Sequence, residues 1–167
     1  MAQRRTLAAI IGAAAAASTL AFTAYNEGNS NTPYRDSGGV WTVCRGQTGV
    51  PMHYYTDVQC DEMLANTLAA TAAQIAADTP GFTTLPDGVK TATVDFAYNV
   101  GVTAYKGSTY WRMLVARQVP AACDQLLRWR FVGGTDCSAG RDTGCYGVWT
   151  RRKAEQEMCK SGNVRNG

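Results

Sequence analysis

"YNEGNSNTPYRDSGGVWT", residues 25–42, decides how this chain is read. It sets a glutamate, an aspartate and a threonine among residues that favour turns, where a long uncharged stretch ends. Eight residues separate Glu27 from Asp36, and five separate Asp36 from Thr42. Two carboxyl groups and a hydroxyl on a turn-rich segment suit hydrolysis of a glycosidic bond. One carboxyl, protonated, donates to the leaving oxygen; the other, ionised, activates water or steadies positive charge on the sugar ring. Such opposite demands are met by giving one acid a drier setting than its neighbour. Glu27, emerging from an apolar segment, is the candidate proton donor, and Thr42 is placed to orient the water. Taken alone, the spacing fits a pair of solvated surface acids equally well.

The segment upstream, "MAQRRTLAAIIGAAAAASTLAFTAYN", has Arg4 and Arg5 followed by an uncharged run from Thr6 to Asn26. As one helix that run spans roughly 31 Å, close to the thickness of a bilayer's hydrocarbon. Its strong hydrophobes are Leu7, Ile10, Ile11, Leu20 and Phe22, together contributing on the order of −1.5 to −3 kcal/mol to insertion. The rest is largely alanine, so the segment is a marginal anchor, with its arginines predicting a cytoplasmic N-terminus and an exported remainder. A cleaved signal peptide is the competing reading, with "TLA" ending at Ala21 or "FTA" ending at Ala24 as loose cleavage sites. Cleavage there leaves Glu27 within six residues of a frayed terminus, a poor place for a catalytic group. The uncleaved reading is therefore preferred, with the segment forming the helix that positions Glu27.

The 167 residues make one domain, and 46% apolar with 17% charged residues is ordinary for a folded chain. The net charge of +3 is unevenly spread. Residues 1–26 hold two basic and no acidic groups, residues 27–120 six and eight, and residues 121–167 eight and five. The basic C-terminal third suits an anionic polymer or membrane surface, or equally a solvated helix face. No run is basic enough to argue for nucleic acid. Six cysteines, Cys44, Cys60, Cys123, Cys137, Cys145 and Cys159, lie behind an export-like N-terminus and read as disulfides of an oxidising compartment. Spacing alone leaves 15 connectivities open. A zinc site is disfavoured, since no C-x-x-C pair occurs and His53 is the one histidine. No cofactor signature is present.

Residues 28–52 are rich in Gly, Asn, Ser and Pro around the β-prone "GVWTVC", which predicts a small antiparallel hairpin region. "TDVQCDEMLANTLAATAAQIAAD" opens with Thr56 and Gln59 at capping-box spacing and carries Met63, Leu64, Leu68 and Ile75 at near-helical intervals. Helices are expected also at "VKTATVDFAYNVG", "STYWRMLVARQ", "PAACDQLLRWRFV" and "VWTRRKAEQEMCK", with "GGTDCSAGRDTGCYG" a glycine-rich loop. The fold class is α+β. Its expected divisions are an N-terminal anchor helix over 1–26 and a catalytic domain over 27–160 (a small lobe 27–55 and a helical lobe 56–160). A tail over 161–167 completes the chain.

"EGNSNTPYRDSGGVWTVCRGQTG" resembles the catalytic stretch of phage-type lysozymes, glycoside hydrolase family 24, whose Glu-8-Asp-5-Thr triad it matches. "DFAYNVG" resembles the family's helix bordering the cleft, "STYWRML" the helix after it, and "CDQLLRW…GVWTRRKAEQEMC" its C-terminal portion. The resemblance implies a lysozyme-like fold and hydrolysis of the β-1,4 bond between N-acetylmuramic acid and N-acetylglucosamine in peptidoglycan. It implies Glu27 as general acid, with Asp36 and Thr42 placing and activating water. It points to Tyr98 and Asn99 as substrate contacts. Tyr110 is a further candidate contact, read either as an aromatic that stacks on a sugar or as a core side chain at helical spacing. Arg151 and Arg152 are read either as partners of peptidoglycan carboxylates or as a solvated helix end. It implies the pairings 44–60 and 123–159, with Cys137 and Cys145 joined across an insertion. Gln47 stands where many relatives have histidine.

The N-terminus resembles the signal-anchor-release endolysins, in which a weak anchor holds an inactive enzyme at the host inner membrane until release to the periplasm. That implies Sec export, host cell lysis, and a monomer with no nucleic-acid partner. Two alternatives stay open: a secreted lysozyme with a cleaved signal peptide, and a non-catalytic membrane-anchored wall-binding protein.

Overall fold

Why the N-terminal run does not form one long helix is answered at Gly12. The computed structural model describes residues 5–36 and 38–164. In it, α1 (Leu7–Ile11) is capped by the Thr6 hydroxyl, which accepts the Ala9 amide. Gly12 then takes φ +88°, a conformation that costs a side-chain-bearing residue dearly. Its amide closes α1 on the Ala8 carbonyl at 2.9 Å, and its own carbonyl accepts the Ala16 amide at 3.0 Å to start α2 (Ala13–Glu27). The expected single anchor helix is thus two helices with a corner. No helix among the described residues is long and apolar enough to cross a membrane.

Small residues let α2 lie close to its neighbours. Ala15, Thr19 and Thr23 are fully buried, and the Thr19 hydroxyl returns to the Ala15 carbonyl at 2.7 Å, so its polarity is satisfied within the helix. Leu7, Ile10 and Ile11 of α1 join the same apolar cluster as Leu64, Leu68, Ala72 and Ile75 from α3 (Asp57–Asp78). The capping box at Thr56 and Gln59 forms, and the predicted apolar stripe of α3 faces inward. Met63, expected on that stripe, packs instead against the small cluster of Val43, Cys44, Tyr55 and Cys60 under the hairpin.

That hairpin follows α2 directly. β1 (Ser30–Arg35) and β2 (Trp41–Cys44) pair antiparallel, Tyr34 opposite Thr42 and Arg35 opposite Trp41, with an irregularity before Tyr34. At the centre of the molecule runs α4 (Asp87–Val100), buried continuously from Gly88 to Ala97. Against it pack α2, α3, α5 (Val102–Gly107) and α8 (Tyr146–Ser161), while α6 (Thr109–Val115) packs on α7 (Val119–Gln125) and α7 on α8. Phe96 stands edge-on to Tyr105, Tyr110 and Trp129, the arrangement aromatic quadrupoles favour. The helix expected through Val132 ends at Gln125, followed by a 3-10 turn over Leu126–Arg128. Its last two residues instead form β3 (Phe131–Val132), which pairs with β4 (Thr135–Asp136) inside the expected glycine-rich loop, and two further 3-10 turns follow.

Disulfides join Cys44 to Cys60, Cys123 to Cys159 and Cys137 to Cys145. All three lie after residue 43, so no disulfide ties α1 and α2 to the rest of the fold.

Candidate active site

Glu27 is the last residue of α2, and Gly28 at φ +68° turns the chain away into the hairpin. The helix end is secured from the hairpin side. Arg45 Nη1 donates to the Ala24 and Gly28 carbonyls at 3.1 and 3.2 Å, and its Nη2 pairs with Asp61 at 2.8 Å. A cation on the unsatisfied carbonyls of a helix C-terminus is favoured both by hydrogen bonding and by the helix dipole.

From the helical side, Arg151 of α8 holds the carboxylate itself. Its Nη1 donates to Glu27 Oε1 at 2.7 Å. Its Nε and Nη2 grip both oxygens of Asp95 at 2.9 and 2.8 Å, and the Thr23 hydroxyl donates to Asp95 Oδ1 at 2.7 Å. Three helices therefore meet through one guanidinium: α2 by Thr23 and Glu27, α4 by Asp95, α8 by Arg151. Asp95 is wholly buried, which by itself raises a carboxyl group. The bidentate arginine and the threonine outweigh burial and hold Asp95 below the usual carboxylate range. Burial likewise opposes the charge on Arg151, and Asp95 and Glu27 reverse that, pushing the guanidinium upward.

Glu27 sits on a cleft of about 530 Å³, with Gly46, Gln47, Thr48, Thr67, Tyr98 and Asn99 along its walls. Asn99 also borders a second hollow with Tyr25, Asn26 and the first turns of α8. Tyr98 donates to the Arg45 carbonyl at 3.2 Å. Burial first, then the charge of Glu27, pushes its phenol up to about 12, so it serves as a donor at neutral pH. Gln47 accepts the Thr67 hydroxyl at 3.3 Å, leaving its amide nitrogen to face the cleft.

Asp36 and Thr42 stand on the adjoining hairpin. Asp36 is exposed, and its Oδ1 accepts the Gly38 and Val40 amides at 2.9 and 2.8 Å, which fixes the carboxylate across the turn. Thr42 is buried and donates to the Val40 carbonyl at 3.1 Å. Glu27, with its side chain 21% exposed, is the drier of the two acids. Among the described residues no group of three or more His, Cys, Asp or Glu side chains has the geometry to hold a metal.

Of the three candidate substrate contacts, the structure brings Tyr98 and Asn99 to the cleft and places Tyr110 elsewhere. Tyr110 is fully buried and bonded to the Thr93 hydroxyl at 2.6 Å, a core residue whose ring packs on Phe96. Of its two readings, sugar stacking and core packing, the structure gives the second. Arg151 and Arg152 also depart from both of their readings, for neither is solvated and neither is free to meet an incoming carboxylate. The residues sequence reasoning missed are Asp95, Thr23 and Arg45. For Asp95 a signal existed: a lone acid between Val94 and Phe96 in an apolar helix needs a buried cation, and two adjacent arginines were available.

Residues 24–155 match the family model described as Phage lysozyme. The chain is 36% identical over 137 residues to a SAR-endolysin of Enterobacteria phage PA-2, covering 80% of this chain and 76% of that one. It is 35% identical over 162 residues to a SAR-endolysin of Bacteriophage PS34, covering 92% and 90%. Among solved structures, the active form of P1 phage endolysin Lyz superposes with a TM-score of 0.73 at 21% identity, covering 90% of this chain and 86% of that one. An endolysin from Escherichia coli O157:H7 phage FAHEc1 gives 0.72 at 21% identity, covering 89% and 94%. At that identity the structural likeness speaks for the fold.

Proposed function

Since the chain belongs to the phage lysozyme family and is a lysozyme acting on peptidoglycan, we propose that Glu27 is its general acid. Asp36 and Thr42 place and activate the water that attacks the β-1,4 bond after N-acetylmuramic acid. The observation that carries this reading is the convergence of α2, α4 and α8 on Glu27. A carboxyl at the end of a helix, gripped by Arg151 and open to a polar cleft, is held in one orientation toward a bound sugar. Asn99 supplies an amide donor along that cleft and the Tyr98 oxygen an acceptor, as the acetamido and hydroxyl groups of a glycan strand require. Product analysis tests the reaction type. Digestion of purified peptidoglycan should yield new reducing ends at muramic acid, and accumulation of anhydro-muramic ends would identify a lytic transglycosylase instead.

The same reading extends to localisation. Residues 1–26 act as an uncleaved signal anchor that carries the enzyme through Sec into the host inner membrane, with the catalytic part in the periplasm. Leu7, Ile10, Ile11, Ala15 and Ala16 cannot lie in lipid and in the core at once. While they are in lipid, Thr23 and Glu27 are absent from Asp95 and Arg151, and the enzyme is silent. Release lets α1 and α2 fold in, and host lysis follows. The absence of any disulfide to this segment supports an exchange that breaks no covalent bond. Cleavage at Ala21 or Ala24 would strip those core residues away, which weighs against a secreted, processed lysozyme. The polar cleft around an oriented Glu27 weighs against a purely wall-binding protein.

The anchor's marginal hydrophobicity can be raised without touching the core, because Ala14 and Ala17 face solvent in the folded enzyme, unlike Ala16. Ala14→Leu with Ala17→Leu should move the protein from the soluble to the membrane fraction and delay lysis. The purified double variant should keep its activity in detergent-free solution. Unchanged fractionation and lysis timing would count against the tether.

A further inference from the structure

Arg151 poses a difficulty for a proton donor. Its Nη1 donates to Glu27 Oε1 at 2.7 Å, and a cation that close favours the ionised form of a carboxyl group. A general acid must instead begin the reaction with its proton. Asp95 lies against the far side of the same guanidinium. It is 0% exposed, and it accepts Arg151 Nε on Oδ2 at 2.9 Å and Nη2 on Oδ1 at 2.8 Å.

That grip has a geometric effect and an electrostatic one. Two parallel hydrogen bonds fix the plane of the guanidinium, which leaves Nη1 directed at Glu27 Oε1. Thr23, one turn before Glu27 on α2, donates to Asp95 Oδ1 at 2.7 Å and steadies the carboxylate in turn. Arginine has donors and no acceptor, so the oxygen it touches must accept, and a proton on Glu27 is carried by Oε2. Oε2 lies toward Gly46, 3.6 Å from the point a Cβ would occupy there, and Gly46 lines the cleft. The proton therefore faces the side from which substrate enters. Electrostatically, a buried anion against Arg151 cancels its charge in place, so Glu27 meets a neutral pair in place of a bare cation.

We propose that Asp95 is a positioning residue for the general acid. It aims Arg151 at Oε1, which leaves the proton on the oxygen that faces the cleft, and its charge lets Glu27 keep that proton beside a guanidinium. The proposal rests on the reading of Glu27 as the acid. Burial alone would raise Asp95; the bonds from Arg151 and Thr23 outweigh it and hold the group below the usual carboxylate range, an anion at neutral pH.

The other charged groups near Glu27 are already engaged. Arg45 of the hairpin caps the end of α2 and pairs with Asp61 of α3 at 2.8 Å. Asp36 is exposed and bound to the Gly38 and Val40 amides. Tyr98 of α4, pushed up to about 12 by burial, is a neutral phenol. Lys90, also of α4, pairs with Asp87 at 2.7 Å. Glu155 of α8 is the rival counter-ion for Arg151. It lies 3.8 Å from Arg151 Nε but 2.9 Å from Arg152 Nη2, so its closer partner is Arg152.

The test is the pH profile of kcat on purified peptidoglycan, measured with the full-length oxidised enzyme free of membrane. A proton donor is lost as pH rises, so it sets the alkaline limb. Asp95→Asn leaves Arg151 uncompensated and should move that limb about one pH unit or more toward lower pH. A folded Asp95→Asn enzyme whose limb stays in place would overturn the proposal. Asp95→Asn combined with Arg151→Gln removes both charges together and keeps the site testable should the single variant fail to fold. Its limb should lie at or above the wild-type position, while kcat falls about tenfold or more because nothing now orients Glu27. A double variant with its limb below wild type, or with kcat within about twofold of it, would contradict the proposal as well. Failure of the muramidase reading looks different: the wild type itself would then release no new reducing ends at muramic acid.

Discussion

Glu27→Gln should lower kcat on peptidoglycan by about 10² to 10⁴-fold while leaving KM within about threefold. Glutamine keeps the shape of the side chain and an oxygen for Arg151 Nη1, which now sits 2.7 Å from Oε1. What it removes is the transferable proton. General acid catalysis contributes roughly that range of rate, or about 2.7 to 5.4 kcal/mol of barrier. The fold should survive, because Arg151 retains Asp95 as its buried counter-ion through two hydrogen bonds. The measurement is initial rate on purified peptidoglycan together with a thermal melt of the same sample. A variant retaining more than about a tenth of wild-type kcat would mean that another group protonates the leaving oxygen.

The second large effect concerns the segment ahead of Glu27. A chain beginning after Ala24 lacks Leu7, Ile10 and Ile11, which are 4%, 7% and 1% exposed in the core. At about 1.5 to 3 kcal/mol for each large aliphatic side chain buried, their loss removes on the order of 5 to 9 kcal/mol. That is comparable to the whole stability of a typical domain, roughly 5 to 15 kcal/mol. The deletion also removes Thr23, which donates to Asp95, and the helix whose last residue is Glu27. Three disulfides hold the remainder together, so the truncated chain keeps its crosslinks. It should nonetheless lose both a cooperative melt and its activity.

Local signals in the sequence carried the fold a long way. The capping box at Thr56 and Gln59 forms, and the apolar spacing from Leu64 to Ile75 describes a real buried face. The carboxylate-rich stretch after residue 25 is the end of a helix followed by a hairpin, because Gly28 ends the one and "GVWTVC" pairs in the other. What failed is what depends on tertiary packing. A run of alanines from Ala13 onward says nothing of where the helix must bend, and only Gly12 marked the corner. The short α5 between Gly101 and Ser108 has too few residues to show a period. Tyr110 looked available for sugar because an aromatic on a helix gives no sign of which way it faces. Arg151 and Arg152 looked like a charged helix end, since their partners Asp95 and Asn99 lie more than fifty residues away in sequence. A functional ion pair of that separation is legible only once the helices are packed.

On the proposed reading a single peptide answers for two states: an anchor in lipid, and in water a part of the core and the helix that ends at Glu27. The alanines serve both: weakly held by a bilayer, good helix formers in water, and small enough for α2 to pack closely at Ala15 and Thr19. Neither role needs a change in the rest of the chain.

The direct trial of this account is to compare peptidoglycan hydrolysis by the full-length enzyme with that of a chain starting at Tyr25, both oxidised and free of membrane. The account predicts rapid digestion by the first and none above background by the second. Equal rates from the two would show that the opening helices are no part of the catalytic fold.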